Sequence, residues 1–512
     1  MKTVFDNTKI SRRSFLQALG ALTLSGGLSA CGGTAETKKN ALTAGSLSYE
    51  LDEVVTVEFS DGGISVSPED AAGVEVDGTA LTVSGAGVYA LSGSCGDGSI
   101  KVAAETEGVV LLLNGLTLTS ADTAPIVCGK STGVTIAAAD NTENTLTDSE
   151  ANNPDNDADN ENAEKAVIKC KDGSQVLLCG GGALAVNALG KNGIKSGTAL
   201  DDRDASLTIR ELNLTIEALV NDAINAEQLL NVESGTLNIA AGDDAVHCDL
   251  ELNIGAEGTT GPTIAVSTCY EGLEGAILNI YSGSIDITAT DDCLNAANSD
   301  LGDYAFEMNI FGGTIRASSS EGDGFDSNGT MTITGGNITV WTMNTADNQP
   351  LDADGLITIS GGTILAAGGS AGMGFSINAS QPYVTFGGDR NSSVSLTAGK
   401  AFSITDESGK SVLDATAVCD AAFVFYSSAS LTADGTYSME STVSSTAQTG
   451  EADTQFGGNG GPGGGQRPGD GQTPPDGAPT DGQAPADGQM PQGQPPQSDG
   501  TTPPELPAAS NS

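Results

Sequence analysis

Along the middle of the chain, hydrophobic and polar positions fall into a repeat. Small residues followed by an aliphatic recur as Gly182-Ala183-Leu184, Gly235-Thr236-Leu237, Pro262-Thr263-Ile264, Gly283-Ser284-Ile285, Gly313-Thr314-Ile315, Gly336-Asn337-Ile338 and Gly362-Thr363-Ile364, with Leu212-Asn213-Leu214 a degenerate copy. The aliphatics lie 21 to 30 residues apart, the kind of period that marks stacked repeat architectures. Seven to eleven residues after each comes a second motif of four positions: polar or acidic, small, bulky apolar, polar. Its third position is Ile194, Ile224, Val246, Leu273, Leu294, Phe325 and Leu351. A position that is apolar in every copy predicts an inward column.

A further short segment in each repeat alternates apolar and polar residues, as in Leu207-Thr208-Ile209, Met308-Asn309-Ile310, Met331-Thr332-Ile333 and Ile357-Thr358-Ile359. Strict alternation bounded by glycine is the pattern of a half-buried strand, and no window sustains a helical period. Short strands, glycine corners and this period predict an all-β fold, a parallel β-helix in which one chain winds into stacked coils. The small second position of the four-residue motif predicts a tight bend. The first and fourth positions are expected to project on either side of it, stacked at the strand spacing of about 4.8 Å.

Flanking segments extend the pattern. Val54 to Phe59, Leu81 to Val83, Val88 to Leu91 and Val109 to Leu113 read as the first strands, with an irregular N-terminal cap over the open end of the stack. Asp148 to Glu164 interrupts as a hydrophilic insertion in which Asp155, Asp157, Asp159 and Glu161 alternate. Asn160 replaces the glycine an EF-hand needs and no twelfth-position glutamate follows, so the choice there is between another calcium loop and a solvated acidic loop. After Ile364 the repeat decays through Phe375, Val384 to Phe386 and Phe423 to Tyr426, which are expected to close the C-terminal end. From Gly457 the chain is mostly Gly, Pro, Gln and Asp and cannot bury enough surface to fold. The expected organisation is 1–30 leader, 31–46 tether, 47–440 β-helix and 441–512 disordered tail.

Composition narrows the function. Only 17% of the 512 residues are charged, against about 25% in an ordinary domain, while 69 are glycine. The formal net charge of −47 repels phosphate and argues against nucleic acid as a partner. It disfavours polyanionic sugars equally unless a cation bridges the mismatch. Eight cysteines beyond Cys31 are scattered without metal-ligand spacing. They read as free thiols filling space like small hydrophobes, and their even number leaves disulfides open.

The first thirty-one residues are an address. Ser11-Arg12-Arg13-Ser14-Phe15-Leu16-Gln17 resembles a twin-arginine export motif, and Leu28-Ser29-Ala30-Cys31 resembles a bacterial lipobox after an apolar run. Together they imply export, cleavage before Cys31, and a lipid on its sulfur that anchors the protein to the membrane at the cell surface. No later stretch approaches the ~20 apolar residues of a spanning helix.

Gly87-Val88-Tyr89-Ala90-Leu91-Ser92-Gly93, Leu112-Leu113-Asn114-Gly115-Leu116, Ala124-Pro125-Ile126 and Asn144-Thr145-Leu146-Thr147-Asp148, followed by the repeats above, occur in an order that resembles the carbohydrate-binding β-helix family of cellulolytic clostridia. The resemblance covers roughly Leu47 to Glu440. It implies a right-handed parallel β-helix, bound calcium, and binding of cellulose or an acidic plant polysaccharide such as polygalacturonate. In shape the family is similar to the family 9 polysaccharide lyases, which use calcium and a lysine base.

The residues allow that chemistry. Ca²⁺ takes six to eight oxygen ligands, and Asp222, Asp243, Asp244, Asp291, Asp292, Asp323, Asp326 and Asp352 lie in or beside the repeated bend, with Asn225 and Asn295 interleaved. Carboxylates stacked this closely repel unless a cation sits between them; the alternative is a ladder that satisfies bend amides. A calcium ion with an open position would also accept sugar oxygens. Trp341, the only tryptophan, and Tyr270 are the first candidates for sugar-stacking platforms, with Tyr281 and Tyr304 behind them. Two rivals to a non-catalytic binder remain. A calcium-assisted lyase needs a base, for which Lys195 in the fourth position is the candidate; a structural surface rod needs no ligand. His247, the only histidine, reads as one more ladder residue rather than as a triad member.

Overall fold

Strands stack where the sequence repeats. The computed structural model describes residues 41–302, 304–343, 348–369, 376–387, 394–440 and 442–453. Cys31, the leader and most of the tail lie outside them. The chain divides into a unit ending at Gly458 and a second, Asn459–Ser512, also outside the described residues. The fold is all-β. It is dominated by one sheet of 34 strands, and among the described residues helical structure is limited to the 3₁₀ turns Leu51–Glu53 and Glu150–Asn152.

Through the repeats, each copy contributes one strand to each of three parallel runs. One run passes through Ser206–Arg210, Leu229–Val232 and the C-terminal half of Val246–Ile254. A second passes through Leu212–Ala218, Gly235–Ala241, Thr263–Thr268 and Ser284–Ala289. The third carries the four-residue motif. Its apolar position stacks in unbroken register from Ile194 through Ile224, Val246, Leu273, Leu294 and Phe325 to Leu351, and all seven are buried. The column continues toward the N-terminus through Ile168, Ile126, Ile100 and Leu81. Each such side chain contributes on the order of 2 kcal/mol by leaving water, and a repeat cannot hide its own apolar face without a neighbour.

The small second position has a steric cause. At Gly272 a Cβ would collide with the Cys293 carbonyl of the next repeat, and at Gly324 with the Val340 side chain. The bend does not split positions one and four, as the sequence reading expected. Both turn to the same outer face, because the apolar third residue between them takes the inward direction.

Both ends are covered by antiparallel strands. Ala41–Ala44 pairs with Leu47–Glu50, Val54–Ser60 with Gly63–Ser67 and Val74–Asp77 with Ala80–Val83. The strand Ala41–Ala44 lies inside the stretch 31–46 expected to be a tether. At the other end Phe423–Ser428 pairs antiparallel with Thr363–Gly368 and Ser376–Gly387, and Gln448–Asp453 adds a strand beyond the expected boundary at Glu440. A four-stranded antiparallel sheet, 401–446, encloses a second core. The eight described cysteines are free and buried, as small hydrophobes in the core would be.

The acidic insertion is more structured than a solvated loop. Asn152, fully buried, donates to Asp148 and the Ala166 carbonyl and accepts from the Glu164 amide. Asp155, Asp157, Asp159 and Glu161 point into solvent and, among the described residues, belong to no converging metal-ligand cluster.

Candidate metal and carbohydrate site

Register turns a sequence motif into a column of charge. The first position runs Asp222, Asp244, Glu271, Asp292, Asp323, Gln349. In this series the amide after each residue donates to the carbonyl of the corresponding residue one repeat on. Side chains add to the ladder: Asp222 accepts from the Asp244 amide at 3.3 Å, Asp292 from Asp323 and Asp323 from Gln349, both at 2.6 Å. The fourth position runs Lys195, Asn225, His247, Glu274, Asn295, Asp326, all in register. A third line places Tyr270 between Asp243 and Asp291 through successive backbone hydrogen bonds.

The expected ligands are therefore brought together. Asp222, Asp243 and Asp244 present oxygens within 4.8 Å of one another, and so do Asp323, Asp326 and Asp352. Asp292 lies beside Asp291, Asp323 and Asp326 and feels their charge. A third group, Asp244, His247 and Glu274, meets the same distance. Sequence reasoning set His247 aside and left Glu271 and Glu274 out of the ligand set; their place in the four-residue motif was the available signal.

Stacking the acids makes their ionisation costly. Burial first, and neighbouring carboxylates second, push Asp222 and Asp326 up to about 6, Asp323 to about 7 and Asp292 to about 8. Glu271 reaches about 8 through burial and the charges of Glu274 and Asp244. Burial alone would lower His247; its hydrogen bonds to Asp244, Asp249 and Glu274 outweigh that and raise it strongly. Two further acceptors are left over. The amide oxygens of Asn295 and Gln349 are buried without a hydrogen-bond partner, in residues only 7% and 3% exposed. A buried acceptor without a donor costs about 1–3 kcal/mol. Oxygen-only clusters flanked by orphaned oxygens fit a hard divalent cation.

Other candidates are placed differently. Lys195 donates to Asn225 Oδ1 at 2.6 Å and pairs with Glu227 at 3.3 Å, so it is committed within the ladder. Trp341 is 1% exposed and packs edge-on to Phe402, ring centroids 6.2 Å apart. It cannot be a surface platform, because the strand Asn337–Thr342 runs through it and the C-terminal sheet covers that strand. Tyr304 tilts against Phe306. Tyr270 is 46% exposed beside the acid column, and Tyr281 stacks on Phe311 of the next repeat with ring centroids 5.0 Å apart.

The same repeats carry a second polar column on another run. Asn253 donates to Asn231, Asn279 to Asn253 and Asn309 to Asn279, at 3.0–3.1 Å.

A family model of carbohydrate-binding domain-containing proteins matches residues 77–372 and, overlapping it, 258–442. The chain belongs to this family. A carbohydrate-binding domain-containing protein of Acetivibrio thermocellus is 28% identical over 184 residues, which span 36% of this chain and 60% of that relative. A solved structure described as the polysaccharide lyase-like protein from C. thermocellum, gadolinium derivative, aligns over 59% of this chain and 95% of its own at 21% identity, with a TM-score of 0.30. The carbohydrate-binding domain thus spans the repeats and with them the acid column.

Proposed function

We propose that this chain is an exported lipoprotein whose carbohydrate-binding domain, a right-handed parallel β-helix, holds calcium in the acid column and through it binds extracellular polysaccharide without catalysis. The observation that carries the reading is the column itself: stacked carboxylates, from buried Asp222 and Asp244 to half-buried Asp323 and Asp326, with orphaned amide oxygens beside them. Asp222, Asp243, Asp244, Asp291, Asp292, Asp323, Asp326 and Asp352 supply the oxygens. Bound calcium supplies positive charge and open coordination positions for sugar hydroxyls or carboxylates, which reconciles a protein of charge −47 with an acidic glycan. Tyr270, exposed between Asp243 and Asp291, offers a flat face next to such an ion. The lipobox cysteine Cys31 would tether the protein to the membrane.

The experiment is retention on insoluble cellulose and on immobilised polygalacturonate, with Ca²⁺ and with EDTA. Retention in Ca²⁺ that EDTA abolishes supports the reading; retention indifferent to EDTA, or none on either glycan, overturns it. Ultraviolet absorbance of an unsaturated product from polygalacturonate would replace the non-catalytic assignment with a lyase. Lys195→Ala then tests whether Lys195 is its base.

A further inference from the structure

The clusters on the column differ in one donor. Two are all-oxygen; the third contains the chain's single histidine. His247 Nδ1 faces Asp244 Oδ2 at 3.1 Å and Glu274 Oε2 in shorter contact, while Nε2 meets Asp249 Oδ1 at 3.0 Å. Both ring nitrogens are therefore engaged with carboxylates, and a metal ion that displaced the Nδ1 proton would meet three ligand atoms within 4.8 Å of one another while Nε2–H stays on Asp249.

We propose that Asp244, Glu274 and His247 Nδ1 form a site for a borderline divalent transition ion such as Zn²⁺, distinct in metal class from the oxygen-only clusters. Imidazole nitrogen favours Zn²⁺ and its neighbours in the first transition row over Ca²⁺, whereas carboxylate and carbonyl oxygens do not discriminate in that direction. Asp249 takes the outer role typical of a metal-bound histidine: a carboxylate on the far ring nitrogen fixes tautomer and orientation. Three protein ligands leave room for water in a tetrahedral shell. The His247 side chain is about one quarter exposed, so an ion can reach it. A buried acceptor lies one rung beyond Glu274. Asn295, in register immediately beyond Glu274, spends its amide nitrogen on Glu271 at 2.8 Å, and its buried oxygen has no partner. Asp244 belongs to both this group and the Asp222–Asp243 group, so its carboxylate would lie between the two metals. The inference does not rest on glycan binding.

The test uses the full, untagged chain, stripped with chelator and titrated with Zn²⁺ alone, first without and then with millimolar Ca²⁺. One equivalent of Zn²⁺ that Ca²⁺ does not displace is expected. His247→Asn is expected to weaken Zn²⁺ at least 100-fold while leaving the calcium-induced rise in Tm, and Asp249→Asn to weaken it roughly 10-fold or more. Zinc-edge X-ray absorption should show imidazole scattering in the wild type. An all-oxygen shell, one-for-one displacement by Ca²⁺, or undiminished Zn²⁺ affinity in a folded His247→Asn variant overturns the site. If that variant does not fold, the Asp249→Asn affinity and the wild-type edge spectrum decide it.

Discussion

Two polar columns climb the same repeats and solve the same stacking problem in opposite ways. In the asparagine column, Asn309 donates to Asn279, Asn279 to Asn253 and Asn253 to Asn231, so each inner residue has a donor for one neighbour and an acceptor for the other, at 3.0–3.1 Å. It is neutral and satisfied. In the acid column the ionised side chains are acceptors only. Backbone amides, Asn225, Asn295 and His247 satisfy part of it, yet buried oxygens of Asn295 and Gln349 remain without partners. One backbone pitch therefore yields a self-satisfied ladder from amides and a ladder of converging acceptors from carboxylates. The first stabilises the stack by itself; the second is the line in which the proposed calcium would do so.

The comparison breaks most decisively with metal. Calcium at about 1,000 times its Kd stabilises by about 4 kcal/mol per site, so calorimetry should show Tm rising in Ca²⁺ and returning in EDTA. A calcium-indifferent Tm would mean that the acid column is as self-sufficient as the amide one.

Next comes pH. The raised carboxyls hold protons in the folded chain that they lose near pH 4 when unfolded, so the stability they lend is fully present below about pH 4 and is lost as pH rises through their folded values of about 6 to 8. Each group's slope is at most about 1.4 kcal/mol per pH unit. In EDTA, urea midpoints should therefore fall from pH 5 to pH 8.5, and saturating Ca²⁺ should flatten the decline.

Single exchanges between the columns sharpen the contrast. Asn279→Asp puts an acceptor-only group where Asn253 and Asn309 need a relay, and should cost about 2–3 kcal/mol at pH 7. The reverse exchange, Asp292→Asn, keeps an oxygen for the Asp323 amide while removing a charge. It should gain about 1 kcal/mol in EDTA at pH 8.5 and weaken calcium binding. Equal losses from both exchanges in EDTA would show that packing, not donor count, governs the two lines. The smallest effect is expected from Lys195→Ala, which should leave glycan retention within about twofold, since Lys195 is already engaged by Asn225 and Glu227.

The amino-acid sequence by itself determined the repeat, the inward apolar column and the acidic line beside it. Those are properties of one repeat copied many times: a residue that must face the core of its own copy does so in every copy. The residues that converge in the two all-oxygen clusters, Asp222, Asp243 and Asp244 and Asp323, Asp326 and Asp352, lie in or beside the repeated bend for the same reason. What only the tertiary structure decided are contacts that depend on how repeats of unequal length, 21 to 30 residues, line up. His247 lies three residues from Asp244 and two from Asp249, but its meeting with Glu274 needs the register of the next repeat. Trp341, a candidate sugar platform by sequence, is buried because the 401–446 sheet packs against it. Positions one and four share a face because the third residue turns inward, and the hydrogen bonding along the asparagine line depends on side-chain geometry between four repeats. Local pattern records burial within a repeat; chemistry between repeats exists only once they are stacked.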